Sequence, residues 1–191
     1  MMQIHQFVMA YRGDHDRIKA LLPEGYLSLR PVLRINVEII GADTPEAYIR
    51  VEFNTPVAAK GKRGWLNLNV WESPKTPITT SLENKHLGER TRGTENAAKG
   101  MTTVFHLPFL SIEFTGVGIA GGCPAENDND GCFYISDEKT EFIPAEKITA
   151  HQEYCDCVFQ WTAPFTEAMG IPVEEILGAY QVEFERNPLQ E

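Results

Sequence analysis

The first residues suited to chemistry lie between Tyr11 and Pro23, where an arginine comes directly before a short helical pattern. Asp14 is a candidate N-cap, because its carboxylate can accept a hydrogen bond from a backbone N–H group of the first turn. Apolar residues then recur at helical spacing until Pro23 ends the pattern. Arg12, held at the start of such a helix, can face a cavity and bind a carboxylate through two parallel hydrogen bonds. The alternative is a surface ion pair with Asp14 or Asp16.

Further groups suited to chemistry lie in the polar span between Glu72 and Gly100. This span shows no sustained periodicity and contains Lys75, Lys85, Lys99 and His86. A loop of this length inside a compact domain is usually functional or disordered. Because the span leaves one predicted strand and returns to another, we expect it to fold over the mouth of a barrel.

Most of the remaining chain alternates apolar and polar residues, which is the pattern of strands. Predicted strands cover 33–39, 49–53, 66–70, 112–114, 133–135 and 151–161, and 60–64 has the composition of a hairpin turn. Polar residues alternate with apolar ones in the first three strands, so each is expected to be half buried. The predicted fold class is α+β and mainly β: an antiparallel sheet curled into a closed or cone-like barrel with a few flanking helices.

A second helix is predicted to begin near Pro172. The fixed φ of proline suits the first position of a helix, and Glu174 and Glu175 would favour the positive end of the helix dipole. No repeat, low-complexity tract or shift in composition divides the chain. Residues 1–191 are therefore expected to form a single domain.

The charge of the chain argues against several classes of function. It has 17 Lys plus Arg against 27 Asp plus Glu, a formal net charge of -10, and no basic run. Binding to nucleic acid or to an anionic membrane surface is therefore not expected. No apolar run approaches the roughly 20 residues of a membrane-spanning helix, and the N-terminus lacks the pattern of a signal peptide. We expect a soluble, cytoplasmic protein.

The four cysteines are expected to be reduced thiols, since they are few for a chain of this size. Cys155 and Cys157 fall on the same side of an alternating run with Phe159 and Trp161, which favours the buried face of a strand over a metal site. The acidic segment 121–131 lacks the glutamate that ends an EF-hand loop, so a solvated turn is favoured over calcium binding. No metal site is predicted.

Several short motifs resemble the acetoacetate decarboxylase superfamily, in an order that spans most of the chain. The N-terminal motif is Tyr11-Arg12-x-Asp14, followed by a short helix and Pro23. Three further segments follow in the order of the family's barrel strands: the strand 33–40, the strand ending in Val51-Glu52-Phe53-Asn54, and Gly64-Trp65-Leu66. Residues 170–177 are similar to the family's final Pro-Val-x-Glu-Ile helix. The resemblance implies an acetoacetate decarboxylase-like fold.

The resemblance also implies a chemistry. In this family a lysine amine condenses with a β-keto acid, and the resulting iminium withdraws electrons as carbon dioxide leaves. The lysine must be neutral to attack, although the pKa of a free lysine is about 10.4. Desolvation or a neighbouring cation lowers that pKa, and acetoacetate decarboxylase itself is the known example of this activation. A small keto acid is therefore the implied partner, and no cofactor is implied because the iminium is the electron sink.

The family places two adjacent lysines after a proline, and this sequence has no such doublet. The best positional match is 84–88, in which Lys85 takes the place of the Schiff-base lysine and His86 that of its partner. Lys75 keeps a preceding proline but follows the predicted strand too closely. Arg12 matches the family's arginine as a substrate anchor, and Glu46 loosely matches an acid of its cavity. The alternative for the lysines and for Glu46 is an exposed surface charge.

Two functions follow from these residues. The first is a lyase that decarboxylates a small keto acid through a Schiff base on Lys85, or a related Schiff-base aldolase or dehydratase. The second is a non-catalytic member of the fold that binds a small apolar or carboxylate ligand, and the missing lysine doublet favours it. Most soluble oligomers are homo-oligomers, and the resemblance likewise suggests a symmetric assembly.

Overall fold

The computed structural model describes residues 1–73, 89–92, 101–121, 130–136, 139–146, 148, 150–163 and 167–186, with 89–92 described as backbone only. The described chain is mainly β. Its strands are β1 (Met2–Arg12), β2 (Leu27–Ser28), β3 (Val32–Ile40), β4 (Tyr48–Ala59), β5 (Lys62–Glu72), β6 (Glu89–Arg92), β7 (Met101–His106), β8 (Leu110–Ala120), β9 (Gly131–Ile135), β10 (Thr140–Pro144), β11 (Gln152–Trp161) and β12 (Glu175–Arg186). All six strands predicted from alternation are confirmed, although the predicted strand 151–161 begins at Gln152.

The strands form one twelve-stranded sheet in the order β10-β9-β5-β4-β3-β1-β12-β11-β8-β7-β6, with β2 paired beside β4. Neighbouring strands run antiparallel except β5 and β9, which run parallel. The expected antiparallel sheet is therefore corrected to a mixed one. In the described part of the chain, the end strands β10 and β6 each pair on one side only, so the sheet seen there is open rather than a closed barrel.

The first predicted helix is confirmed as α1 (His15–Ala20). Asp14 caps it, because the backbone N–H of Arg17 donates to Asp14 Oδ1 at 2.8 Å. Ile18 is fully buried in the main apolar cluster. Among the residues that the structure describes, no helix has the length and apolar character needed to cross a membrane.

The second predicted helix is wrong. Residues Glu167–Gly170 form a single 3₁₀ turn, and the segment after Pro172 becomes the strand β12. Buried Tyr180, Val182 and Phe184 recur at every second position, and this period lets β12 pair with β1 along its whole length. A proline and two glutamates are signals for the first turn of a helix, and they do not outweigh a strand partner that extends over the whole segment.

Both faces of the sheet are apolar along much of their area. The main cluster is built from β1, β3, β4, β7 and β8, with Ile18 of α1. Cys155, Cys157, Phe159 and Trp161 pack against it, which confirms that these cysteines lie on the inner face of β11. The second cluster lies on the opposite face of β1 and includes Ile4, Val8, Trp65, Tyr180 and Val182. Strand β3 is consequently buried on both faces, and the expectation of a half-buried strand is corrected.

Strand β9 joins the sheet through a close contact between two glycines. A Cβ atom on Gly64 would overlap the backbone carbonyl of Gly131, so the contact requires glycine at position 64. Beyond it, β9 pairs with β5 so that Trp65 lies beside Cys132 and Leu66 beside Phe133. The predicted hairpin turn between β4 and β5 is confirmed at Lys60 and Gly61, both of which have positive φ.

The long polar span is only partly described. Glu89–Arg92 form β6 and pair with β7, so the expectation that the whole span lacks regular structure is corrected there. Residues 74–88 and 93–100 lie outside the described residues, as does 122–129 of the acidic segment.

Candidate functional site

Polar side chains line up on one face of β1, β3 and β4. The cross-strand partners on this face are Arg34 with Asn54, Asn36 with Glu52, and Glu38 with Arg50. Gln6 of β1 lies opposite Glu38. Directly opposed residues of antiparallel strands share a face of the sheet. The polar cluster is the set of these side chains: Gln6, Arg34, Asn36, Glu38, Arg50, Glu52 and Asn54.

The polar cluster is buried. Every member except Arg50 is no more than 8% exposed. The cluster lies on the same face as the second apolar cluster, and residues from β9 and β12 contact it. Burying charged groups costs several kcal/mol for each ion unless partners replace the lost water. Each buried charge therefore needs partners that replace this water.

Glu38 is held by donors from two other strands. Arg186 of β12 donates from Nη1 to Oε2 at 2.9 Å and from Nη2 to Oε1 at 3.0 Å, and Gln6 donates to Oε1 at 2.8 Å. Burial alone would raise the pKa of Glu38, but the hydrogen bonds and charge of Arg186 outweigh it and lower the pKa. This carboxylate is ionised at neutral pH and satisfied by the protein itself.

Glu52 is satisfied in a similar way. Its Oε1 accepts hydrogen bonds from Arg50 Nε and from the Tyr134 hydroxyl, both at 2.9 Å. Arg50 also donates from Nη1 to Glu72 at 2.7 Å. Burial, together with the charge of Glu52, raises the pKa of Tyr134, so its phenol stays protonated and remains the donor. Both buried acids thus have cationic partners within the protein.

Arg34 lies at the other end of the polar cluster, against an aromatic ring. Its Cζ atom is 4.0 Å from the centroid of the Trp65 ring, a cation–π distance. The Asn54 amide is 2.8 Å from Arg34 Nη2, which is a hydrogen bond when the amide oxygen faces the guanidinium. A guanidinium held by a ring and an amide presents its donors in a fixed plane, and that geometry suits a carboxylate.

Two buried polar atoms beside Arg34 have no hydrogen-bond partner among the described residues. One is the acceptor Oδ1 of Asn36, and the other is the donor Nε1 of Trp65. Asn36 is 6% exposed and Trp65 is 2% exposed. A buried polar atom without a partner costs about 1–3 kcal/mol, so such atoms are uncommon away from functional sites. These two atoms make this end of the cluster a candidate ligand site.

Arg12, the predicted substrate anchor, lies at the surface. Its side chain is 48% exposed, and Nη1 is 2.7 Å from Oε2 of Glu175. The partner is thus neither Asp14, which caps α1, nor Asp16, which pairs with Lys19 at 3.2 Å. Half-exposed ion pairs contribute about 0–1 kcal/mol.

The predicted catalytic residues are also separated from the polar cluster or lie outside the described chain. Glu46 is exposed in the turn between β3 and β4, whereas the buried acid of that region is Glu52, farther along β4. Lys85 and His86 lie outside the described residues. The structure therefore brings none of the predicted residues together with another one in the part of the chain that it describes.

Sequence reasoning missed the residues that form the polar cluster. The signal that could have found them is the polar half of the alternation: Arg34, Asn36 and Glu38 on one strand, and Arg50, Glu52 and Asn54 on the next. Opposite charges and amides at matching positions of two strands joined by a short turn indicate a paired polar face. Alternation alone does not tell whether such a face meets water or further protein.

Solved structures share the architecture that positions these residues. The enduracididine biosynthesis enzyme MppR, complexed with pyruvate, matches with a TM-score of 0.60 at 10% identity, over 95% of this chain and 84% of the MppR chain. An acetoacetate decarboxylase-like enzyme from Sphingomonas wittichii RW1 matches with a TM-score of 0.59 at 12% identity, over 95% and 87%. Acetoacetate decarboxylase from Legionella pneumophila matches with a TM-score of 0.57 at 11% identity, over 95% and 82%.

The chain has the fold of the acetoacetate decarboxylase superfamily. The expectation drawn from the short motifs is thereby confirmed for the fold. No protein-family model matches the chain, and no curated protein matches it in sequence. At 10–15% identity these similarities establish the acetoacetate decarboxylase-like fold and not an activity.

Proposed function

We propose that this chain is an acetoacetate decarboxylase-like lyase that binds a small keto acid at the Arg34 end of the polar cluster and forms a Schiff base with it through a lysine. The observation that carries the proposal is the buried guanidinium of Arg34 beside two polar atoms, Asn36 Oδ1 and Trp65 Nε1, that lack partners among the described residues. The pyruvate bound to MppR, which shares the fold, supports a small keto acid as the ligand class.

The burial of Arg34 supports it as the group that binds the carboxylate. This residue is 8% exposed, and its guanidinium lies against the ring of Trp65. A buried guanidinium binds a carboxylate more strongly than an exposed one, because water competes less for both groups. Arg34 is therefore a better candidate anchor than Arg12, whose side chain is half exposed.

The chemical step would use the lysine that the sequence suggests, Lys85. Its neutral amine adds to the ketone carbon of the ligand, water leaves, and an iminium forms. The electron pair of the bond to the carboxylate carbon then moves into the iminium, and carbon dioxide is released. Protonation and hydrolysis of the resulting enamine return the ketone and the free lysine. Burial or a nearby cation must keep the lysine neutral, and His86 would supply such a cation only when its imidazole is protonated.

The Arg34 anchor also supports an alternative within the same chemistry. A guanidinium that binds the substrate carboxylate stabilises its negative charge, and decarboxylation removes that charge. The arginine therefore favours reactions in which the substrate keeps its carboxylate. A Schiff-base aldolase or dehydratase is such an enzyme, and MppR has been solved with a condensation product of pyruvate and an aldehyde. The missing lysine doublet supports a second alternative, a protein that binds the keto acid without turning it over.

Borohydride trapping tests the proposal. The protein is reduced in the presence of acetoacetate, pyruvate or longer keto acids, and the adduct is located by intact-mass and peptide mass spectrometry. We expect one adduct, on Lys85, that disappears in Lys85→Ala and persists in the matched control Lys75→Ala. An adduct with pyruvate but no carbon dioxide from acetoacetate would assign aldolase or dehydratase chemistry. Saturable binding without any adduct would leave a binding protein.

A second pair of variants tests the anchor. Arg34→Gln should weaken keto acid binding by about tenfold or more, since a charge-assisted pair is lost. Arg12→Gln should change binding less than about twofold, because an exposed ion pair contributes little. A larger loss of binding in Arg12→Gln than in Arg34→Gln would restore Arg12 as the anchor. Sedimentation of the same samples would measure the homo-oligomer that we also propose.

A further inference from the structure

A row of side-chain contacts connects four strands at the start of β1. His5 Nε2 lies 3.3 Å from Oε1 of Gln181 on β12, and Gln181 donates from Nε2 to Oε2 of Glu153 on β11 at 2.8 Å. The other oxygen of Glu153 accepts from the backbone N–H of Gly118 on β8 at 2.8 Å. On its other side, His5 Nδ1 is 3.3 Å from Oε1 of Glu183, which is also on β12. These contacts link β1, β12, β11 and β8.

The orientation of the Gln181 amide determines where the imidazole of His5 carries its protons. An ionised carboxylate only accepts hydrogen bonds, so Glu153 faces the NH₂ group of Gln181 and the amide oxygen faces His5. Nε2 of His5 must then carry a proton. Nδ1 faces the Glu183 carboxylate, so a proton is favoured there as well. Only the imidazolium form donates from both ring nitrogens.

The described surroundings of His5 favour its positive charge. Its side chain is 6% exposed, and the carboxylate of Glu183 lies beside it on β12. The carboxylate of Glu153 on β11 follows behind the Gln181 amide. On β3 the apolar Ile39 lies opposite His5, and on β1 the ring of Phe7 is 4.1 Å from the imidazole. The charges in these contacts are negative, and an opposite charge stabilises the protonated form of a histidine.

The contacts cross a short junction of the sheet. In the described chain β11 and β12 pair at four positions, of which one is Glu153 opposite Gln181 and the last is Cys155 opposite Ala179. By contrast, β1 and β12 pair at eleven positions. Cys155 and Ala179 also line a cavity of about 470 Å³ between β8, β11 and β12. Loss of the contact between Glu153 and Gln181 would therefore weaken the junction beside this cavity.

We propose that His5 is a proton switch: it carries a proton on both ring nitrogens at neutral pH, and the loss of one of them loosens the junction of β11 with β12. The neutral ring keeps its proton on Nδ1, toward Glu183, because hydrogen bonds to a charged group are the stronger ones. Nε2 then becomes an acceptor, and the Gln181 amide rotates to donate to it. The amide oxygen now faces the Glu153 carboxylate, so the contact across the junction is lost. The stabilisation by His5 is thus complete at low pH and is lost as the pH rises through its titration.

Nitrogen-15 NMR of the histidine rings tests the protonation, and His5→Gln assigns the resonances. At pH 7 both ring nitrogens of His5 should have the chemical shifts of an imidazolium. Glu183→Gln should lower the midpoint of the His5 titration by about 0.5 pH or more, since it removes an opposite charge. Glu185→Gln is the matched control and should change the midpoint less, because Glu185 lies one pair farther along this face, opposite Gln3. A neutral ring at pH 7 would overturn the proposal.

Hydrogen exchange measures the junction itself. After correction for the intrinsic effect of pH on exchange, protection of the amides in 152–155 and 179–182 should fall about tenfold in the wild type as the pH rises through the His5 midpoint. In Gln181→Leu the protection should be lower and constant over the same range, although His5 still titrates. Constant protection in the wild type would overturn the switch whether or not the variant folds. A fall that persists in Gln181→Leu would overturn the role of the amide.

Discussion

Arg186 on β12 meets the Glu38 carboxylate on β3 with two parallel hydrogen bonds of 2.9 and 3.0 Å, across 148 positions of sequence. The same guanidinium donates from Nε to Glu146 at 2.8 Å. Burial alone would lower the pKa of Arg186, but the hydrogen bonds and charge of Glu38 raise it. The two residues thereby tie the end of β12 to the polar cluster across β1, which lies between their strands.

Arg186→Met is expected to destabilise the protein by about 3–5 kcal/mol, because Glu38 would keep a buried charge without its partner. Chemical denaturation measures the loss. The double variant Arg186→Met with Glu38→Gln should recover much of it, since the buried charge is then removed as well. A loss below about 1 kcal/mol for the single variant would mean that water replaces Arg186 at this carboxylate.

The lowered pKa of Glu38 predicts a specific dependence of stability on pH. The folded state binds the proton on this group less tightly than the unfolded state, whose value is near the ordinary 4.5. Its contribution is therefore complete above that value and is lost as the pH falls through the lower folded pKa. The unfolding free energy measured from pH 7 to pH 3 should decline less steeply in Glu38→Gln than in the wild type. Equal slopes would contradict the assignment.

Gly64→Ala is expected to disrupt the junction of β5 and β9. The new Cβ would overlap the carbonyl of Gly131, so β9 must move and Tyr134 would lose its contact with Glu52. A fall in the thermal midpoint measures the strain. Gly170→Ala is the matched control, because its Cβ would meet nothing closer than Arg17 Nη2 at 3.8 Å. Equal midpoints for the two variants would show that the junction tolerates a side chain.

The thiols of the described strands are expected to react slowly. Burial raises the pKa of Cys155 to about 12 and, with the charge of Glu52, that of Cys132 to about 12. Burial also raises the pKa of Cys157. At pH 8 few thiolates form, so alkylation by iodoacetamide should be about a hundredfold slower than for an open cysteine. The measurement uses a Cys123→Ser background, and unfolding in denaturant should restore full reactivity. Rapid alkylation of the native protein would contradict the burial of these groups.

Local patterns in the sequence predicted most of the strands. They predicted neither the strand at the end of the described chain nor the burial of the polar side of the sheet. Alternation at 33–39 and 49–53 gives β3 and β4, and the cap and proline around α1 give its bounds. The same reasoning failed at 172–177, because a first-turn helix signal says nothing about the distant strand that pairs there. Whether an alternating strand is covered on its polar side depends on contacts with residues far along the chain.

The site was the least predictable part for the same reason. Arg12 and Glu46 were chosen by their position in a motif, and both side chains are exposed. Arg34 and Glu52 were seen as the polar side of half-buried strands, yet both are buried. Trp65 lies against Arg34 and Tyr134 contacts Glu52, and both approach from other strands. The partners of a buried charge are long-range contacts, and no window of sequence contains them.

The pairing of β1 with β12 also sets the order in which the molecule can assemble during synthesis. β1 leaves the ribosome before the other described strands, and one of its two neighbours is the last of them. Until β12 emerges, one edge of β1 stays open and the carboxylate of Glu38 lacks its partner Arg186. Closing such a long loop is slow, and an open strand edge invites association with other chains. The nascent chain is thus expected to be prone to association until β12 is in place.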